Sequence, residues 1–193
     1  MLRKLLLLLV LTIITSCSFK TINYSHDFST FQKGIDFTQT SGEWLLNTMN
    51  LPEQREGSLE KIAYDTFSDW TGKKVVKKVN MKDNTGKKYS FAIPYQPTKE
   101  EFTLLSKTTP YKYLINIHLG SDQNGPRLQE SEIFIDLYDI DNHKLMVSER
   151  VIGVLDKVNG NDIGNSFKVD VIPNMMSKLL RKGLKNIEKN SKF

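Results

Sequence analysis

Hydrophobic and polar positions along the chain fall into two periods. Residues 111–119 alternate, with Tyr111, Tyr113, Ile115, Ile117 and Leu119 on one face and Lys112, Asn116 and His118 on the other. That is the period of a half-buried strand. Residues 132–139 alternate likewise, with Ile133, Ile135 and Leu137 inward, and lead through Asp141-Asn142 into 145–154. The pair predicts an antiparallel hairpin. Helical spacing appears at Leu59, Ile62, Ala63, Phe67 and Trp70, with Ser58 as the expected N-cap and Gly72 past the end. Thr98-Lys99-Glu100-Glu101 fits a capping box and opens a short helix carrying Phe102 and Leu105. Met176, Leu180, Leu184 and Ile187 stripe a final helix, with Pro173 in its expected first turn and Arg181, Lys182, Lys185 and Lys189 off the stripe. Shorter apolar runs predict strands at 44–51 and 75–81, a return strand at 89–93 after the Asp83–Gly86 turn, and a small strand around Phe167, Val169 and Val171. The order β-α-β-α-β-β-β-α predicts an α/β (α+β) fold. A single mixed sheet of five to six strands would be backed by two or three helices gathered on one face.

The start of the chain has a different pattern. Arg3 and Lys4 precede an apolar run from Leu5 to Ile14, followed by Thr15, Ser16 and Cys17. The run is about half the ~20 residues that span a bilayer, so residues 1–16 are expected to be a cleaved secretory signal. Residues 17–42 show no sustained period and are expected to form a tether, although Phe19, Tyr24, Phe28, Phe31 and Phe37 are many aromatics for a linker. Residues 43–193 would then form one domain.

The stretch Ile14-Thr15-Ser16-Cys17 resembles the bacterial lipobox: an aliphatic residue, two small residues and a cysteine. The resemblance implies cleavage before Cys17, a diacylglycerol thioether on its sulfur, and acylation of the new amine. An ordinary signal with an incidental cysteine is the other reading. With Ser18 and no aspartate after Cys17, the resemblance to enterobacterial lipoproteins implies the outer membrane, on its periplasmic or surface side.

Composition narrows the classes further. Cys17 is the only cysteine of 193 residues, so no disulfide forms within the fold, and stability rests on the hydrophobic core. The formal charge is +5; without Arg3 and Lys4 the chain keeps 25 basic against 22 acidic residues, or +3. No aromatic-basic motif accompanies this mild excess, which argues against nucleic acid as a partner.

Three segments carry a second likeness. They are Tyr113-Leu114-Ile115-Asn116-Ile117, the run from Ile133 to Asp139, and Lys144-Leu145-Met146-Val147-Ser148-Glu149. Together they resemble the group that includes the curli-secretion lipoprotein, the lipoprotein activators of penicillin-binding proteins, and the N-terminal domain of the Tol propeller protein. Asn116 replaces a small residue of that pattern, Asp141-Asn142-His143 replaces its Thr-Gly turn, and Val147 stands where tryptophan is frequent. The likeness implies a periplasmic adaptor, activator or pore builder rather than an enzyme.

Candidate chemistry is sparse. Asp136, Asp139, Asp141 and Asn142 form an acidic cluster, but an EF-hand would want a central glycine and a glutamate where Val147 stands. His26, His118 and His143 share no metal-type spacing. Asn116 and His118, with Asp136 and Arg150 on neighbouring strands, define one possible binding face. No nucleophile motif accompanies it. The expectation is a lipid-anchored, non-enzymatic binding, adaptor or assembly protein of the envelope. It would carry no catalytic residue, metal or cofactor, touch the membrane through the lipid on Cys17, and bind an unknown envelope protein. The alternatives are a ligand-binding protein or hydrolase using the His118 face, and an oligomeric secretion-channel component.

Overall fold

The computed structural model describes residues 22–29, 34–49, 56–120, 130–155 and 168–193. Cys17 and residues 1–16, expected to be a signal, lie outside the described residues. The strands are β1 (Ile22–Ser29), β2 (Glu43–Leu46), β3 (Val75–Lys77), β4 (Tyr111–Leu119), β5 (Glu130–Asp139) and β6 (Lys144–Leu155). The helices are α1 (Glu56–Trp70), α2 (Lys99–Thr108) and α3 (Lys168–Asn190). One mixed six-stranded sheet runs β1-β6-β5-β4-β2-β3. Strand β2 is parallel to β3 and β4, and the remaining pairs are antiparallel. The mixed sheet backed by helices is the architecture the periodicity predicts.

The helices do not gather on one face, and the strand order supplies the reason. β3 lies on one side of β2 and β4 on the other. Both β2–α1–β3 and β3–α2–β4 join parallel strands. The right-handed sense of such crossovers carries a helix above the sheet in one direction and below it in the other. Helices α1 and α3 accordingly cover one face. There Leu59, Ala63 and Phe67 of α1 and Met176, Leu180, Leu184 and Ile187 of α3 meet Trp44, Leu46, Ile115, Ile117, Ile133, Ile135 and Val151. Helix α2 covers the other, where Phe102 and Leu105 meet Leu45, Leu114, Tyr138 and Ile140. Gly183 lets α3 approach closely, since a Cβ there would stand 2.7 Å from Ile135 Cδ1 and 3.1 Å from Val151 Cγ2.

Several local expectations change. Residues 22–29, expected within the tether, form edge strand β1 along β6, from Ile22 opposite Leu155 to Ser29 opposite Ser148. Ile35 and Phe37 are buried in the core, so the folded unit starts well before residue 43. Phe37 N–H donates to Lys192 O at 2.9 Å, Lys192 N–H donates to Ile35 O at 2.8 Å, and the Phe37 and Phe193 rings stack at 5.3 Å. Gly34 completes this clasp at φ +65°, with the Asn190 carbonyl where a Cβ would be.

Tyr111 does not share a face with Tyr113. The β2–β4 register shifts between Glu43 and Trp44, and the irregularity turns Tyr111 into the α2-side core. β2 stops at Leu46, and β3 gives way after Lys77 to a single 3₁₀ turn, Lys78–Asn80. Residues 89–93 form no strand; the return after the Asp83 turn is limited to a bridge between Lys82 and Lys88. Helix α1 begins at Glu56, placing Ser58 inside it, and Val169 and Val171 belong to α3. A three-residue alternation is too short to distinguish strand from helix. The capping box forms as expected: Glu101 N–H donates to Thr98 Oγ1 at 3.3 Å, and Thr98 N–H donates to Glu101 Oε2 at 2.7 Å.

Candidate functional site

The polar side chains of the α2-side face are set by strand register. Asn116 of β4 stands opposite Asp136 of β5, and Asp136 stands opposite Ser148 of β6. One pair further along, His118 stands opposite Phe134, and Phe134 opposite Arg150. Expected as an open face, this patch is instead crossed by a strap, Ile93-Pro94-Tyr95. Three side chains hold it. Asn47 Nδ2 donates to Ile93 O at 3.0 Å. Asn116 Nδ2 donates to Pro94 O at 3.2 Å and to Tyr95 O at 2.9 Å. Tyr138 Oη donates to Tyr95 O at 3.2 Å.

Under the strap, His118 lies between two rings, Tyr95 at 4.8 Å and Phe134 at 4.9 Å between centroids. Burial lowers its pKa, partly offset by the charges of Asp136 and Glu132. Burial raises the pKa of Asp136, against a hydrogen bond from Ser148 and the attraction of His118. Tyr138 is raised by burial and by Asp136. Asn116 is 0% exposed and Asp136 5%. Among the described residues, Asn116 Oδ1, Asp136 Oδ1 and His118 Nδ1 have no hydrogen-bond partner.

The structure therefore brings together Asn116, His118 and Asp136. Arg150 shares their face but is set apart from His118 by Phe134: its guanidinium lies 5.7 Å from that ring, and its Nε donates to Glu132 Oε1. Ser148 bonds the carboxylate of Asp136 rather than an imidazole. That is not the serine-imidazole-carboxylate order that activates a nucleophile. The arrangement holds the strap.

Tyr95, Tyr138, Phe134 and Ser148 complete the cluster and were missed in sequence. For Phe134 and Tyr138 a signal existed, since they alternate with Ile133, Ile135 and Leu137 and so share a face with Asp136. For Tyr95 there was none, because its position depends on carbonyl contacts from distant side chains.

The acidic turn is explained without a cation. Asp139 accepts from Asn142 N–H and Nδ2 at 3.0 and 2.8 Å. Asp141 accepts from Ser106 at 2.6 Å and Lys112 at 2.7 Å. His143 stacks on Phe102 at 5.8 Å.

No family model matches this chain, and no curated protein matches it. Solved structures do. A PelC dodecamer from Paraburkholderia phytofirmans is 8% identical, covers 89% of this chain and 100% of its own, and gives a TM-score of 0.48. A variant of that protein in another space group is 9% identical over 86% and 97%, with a TM-score of 0.46. The hypothetical protein CT253 from Chlamydia trachomatis is 13% identical over 78% and 98%, with a TM-score of 0.39. None of these names belongs to the group that the β4–β6 sequence resembles.

Proposed function

We propose that this chain is a lipid-anchored protein of the bacterial envelope whose domain acts as a non-enzymatic binding, adaptor or assembly module. The carrying observation is the sole cysteine, Cys17, at the end of Ile14-Thr15-Ser16. A thiol there has the chemistry to take a diacylglycerol as a thioether. Ser18 after it favours the outer membrane. The domain is consistent with this role: Asn116 and Tyr138 are engaged with the strap and Asp136 with Ser148, which leaves recognition of an envelope protein to the outer surface. An anchor raises the effective concentration of such a domain near partners in the same layer.

Mass spectrometry of the mature N-terminus tests the anchor. A lipid-bearing Cys17 as first residue is expected, and Cys17→Ala should move the protein from the membrane to the soluble fraction. An unmodified Cys17 or an intact Met1 would overturn it. The binding role is tested by crosslinking in cells: a reproducible protein adduct is expected, and recovery of lipid alone would count against it.

A further inference from the structure

Asn116 and Asp136 are directly opposed across β4 and β5, and both are almost wholly buried. Asn116 spends both of its N–H groups on the Pro94 and Tyr95 carbonyls. Flipping the amide would set its oxygen against those carbonyls, so its orientation is determined. Its Oδ1 then needs a donor, and Asp136 Oδ1 equally lacks a partner among the described residues. An ionised carboxylate can only accept. Two unmatched acceptors on opposed, buried residues are unfavourable, and a single proton on the carboxyl satisfies both.

We propose that Asp136 carries a proton in the folded domain, donates it to Asn116 Oδ1, and through it locks the Ile93–Tyr95 strap over the sheet. When Asp136 ionises, the carboxylate competes for the Asn116 N–H and Tyr138 O–H donors that hold Tyr95 O. The strap loosens, and the polar face with His118 is uncovered. The surroundings fit a neutral carboxyl. From β4 the titratable neighbour is His118, whose pKa burial lowers. Along β5 it is Tyr138, kept neutral. From β6, Ser148 donates to the carboxyl, and the nearest cation, Arg150, is engaged by Glu132. The strap brings Tyr95.

The test follows the Asp136 carboxyl carbon by NMR against pH, together with the NOEs between the stacked Tyr95 and His118 rings, which read closure of the strap. Asp136 is expected to titrate well above the ordinary carboxylate range. Each pH unit should raise the ionised population about tenfold relative to the protonated form, and the Tyr95–His118 NOEs should weaken as Asp136 ionises. Asp136→Asn, which supplies a permanent N–H donor, should keep these NOEs and remove their pH dependence. Titration of Asp136 within the ordinary carboxylate range would overturn the proposal, as would an Asp136→Asn strap with the wild-type pH dependence. Should that variant not fold, the wild-type carboxyl titration decides alone.

Discussion

The two faces of one sheet are built on different principles. Under α1 and α3 the contact is mostly apolar, from Trp44 across Ile135 to Val151, and is closed by side-chain volume around one buried carboxylate, Glu149, to which Asn186 Nδ2 of α3 donates at 3.0 Å. Under α2 and the strap, an apolar part around Phe102 and Leu114 grades into a polar part around Asn116, Asp136 and Tyr138, closed by hydrogen bonds to backbone carbonyls. Volume-filling contacts are non-directional and tolerate small shifts. Directed hydrogen bonds depend on which atom holds which proton. The first face should therefore set global stability, and the second should set local opening and its pH dependence.

The largest effect should come from the first face. Phe67→Ala removes a fully buried ring and should cost about 3–5 kcal/mol, read as a fall in the urea midpoint with an unchanged slope. Deleting Ser191–Phe193 removes three hydrogen bonds to Ile35 and Phe37, the third from Ile35 N–H to Ser191 Oγ, and the Phe193 ring contacts with Phe37 and Trp70. At about 0.5–1.5 kcal/mol for each interaction, a loss of roughly 2–4 kcal/mol is expected by the same measurement. On the second face, Asn116→Ala should cost about 1–3 kcal/mol. Its signature differs: the NOEs between the Tyr95 and His118 rings should be lost while amide protection in β4 and β5 is kept. Equal loss of protection everywhere would erase the distinction between the faces. Thr98→Ala, which opens the capping box of α2, should cost about 0.5–2 kcal/mol, confined largely to that helix.

The smallest expected effect is on pH, and its sign is informative. Asp136 is raised above its ordinary 3.8, so the folded state holds its proton more tightly. That contribution is complete below the unfolded value and is lost as pH rises through the folded one. His118 is lowered from 6.5, so its contribution is present above 6.5 and is lost as pH falls toward the folded value. The two slopes oppose each other. Thermal melts across pH should show Asp136→Asn flattening the falling limb, and His118→Gln flattening the rising limb on the acid side.

Much of the first face was legible in sequence, because period-two strands and the Met176–Ile187 stripe signal burial directly. Residues 22–29 were not: their partner strand β6 lies more than a hundred positions away, and their composition is that of a linker. The second face was half legible. Alternation put Asn116, His118 and Asp136 side by side, but it left them facing water. It also grouped Arg150 with His118, whereas Phe134 intervenes. What buries the polar cluster is an irregular strap whose path is fixed by Asn47, Asn116 and Tyr138 side chains. No local period encodes such a path, and the apolar run 89–93 imitated a strand instead.

The clasp between Ile35–Phe37 and Lys192 also has a mechanical meaning. The N-terminal segment is joined to the domain twice in succession, first by β1 along β6 and then by this clasp. A pull applied upstream of Ile22 loads the β1–β6 ladder before it reaches Gly34, and reaches Trp44 only after both have yielded. The two joints act as fuses in series. They would give way in order under tension, sparing the sheet's centre, and a force-extension trace should record them as two separate steps.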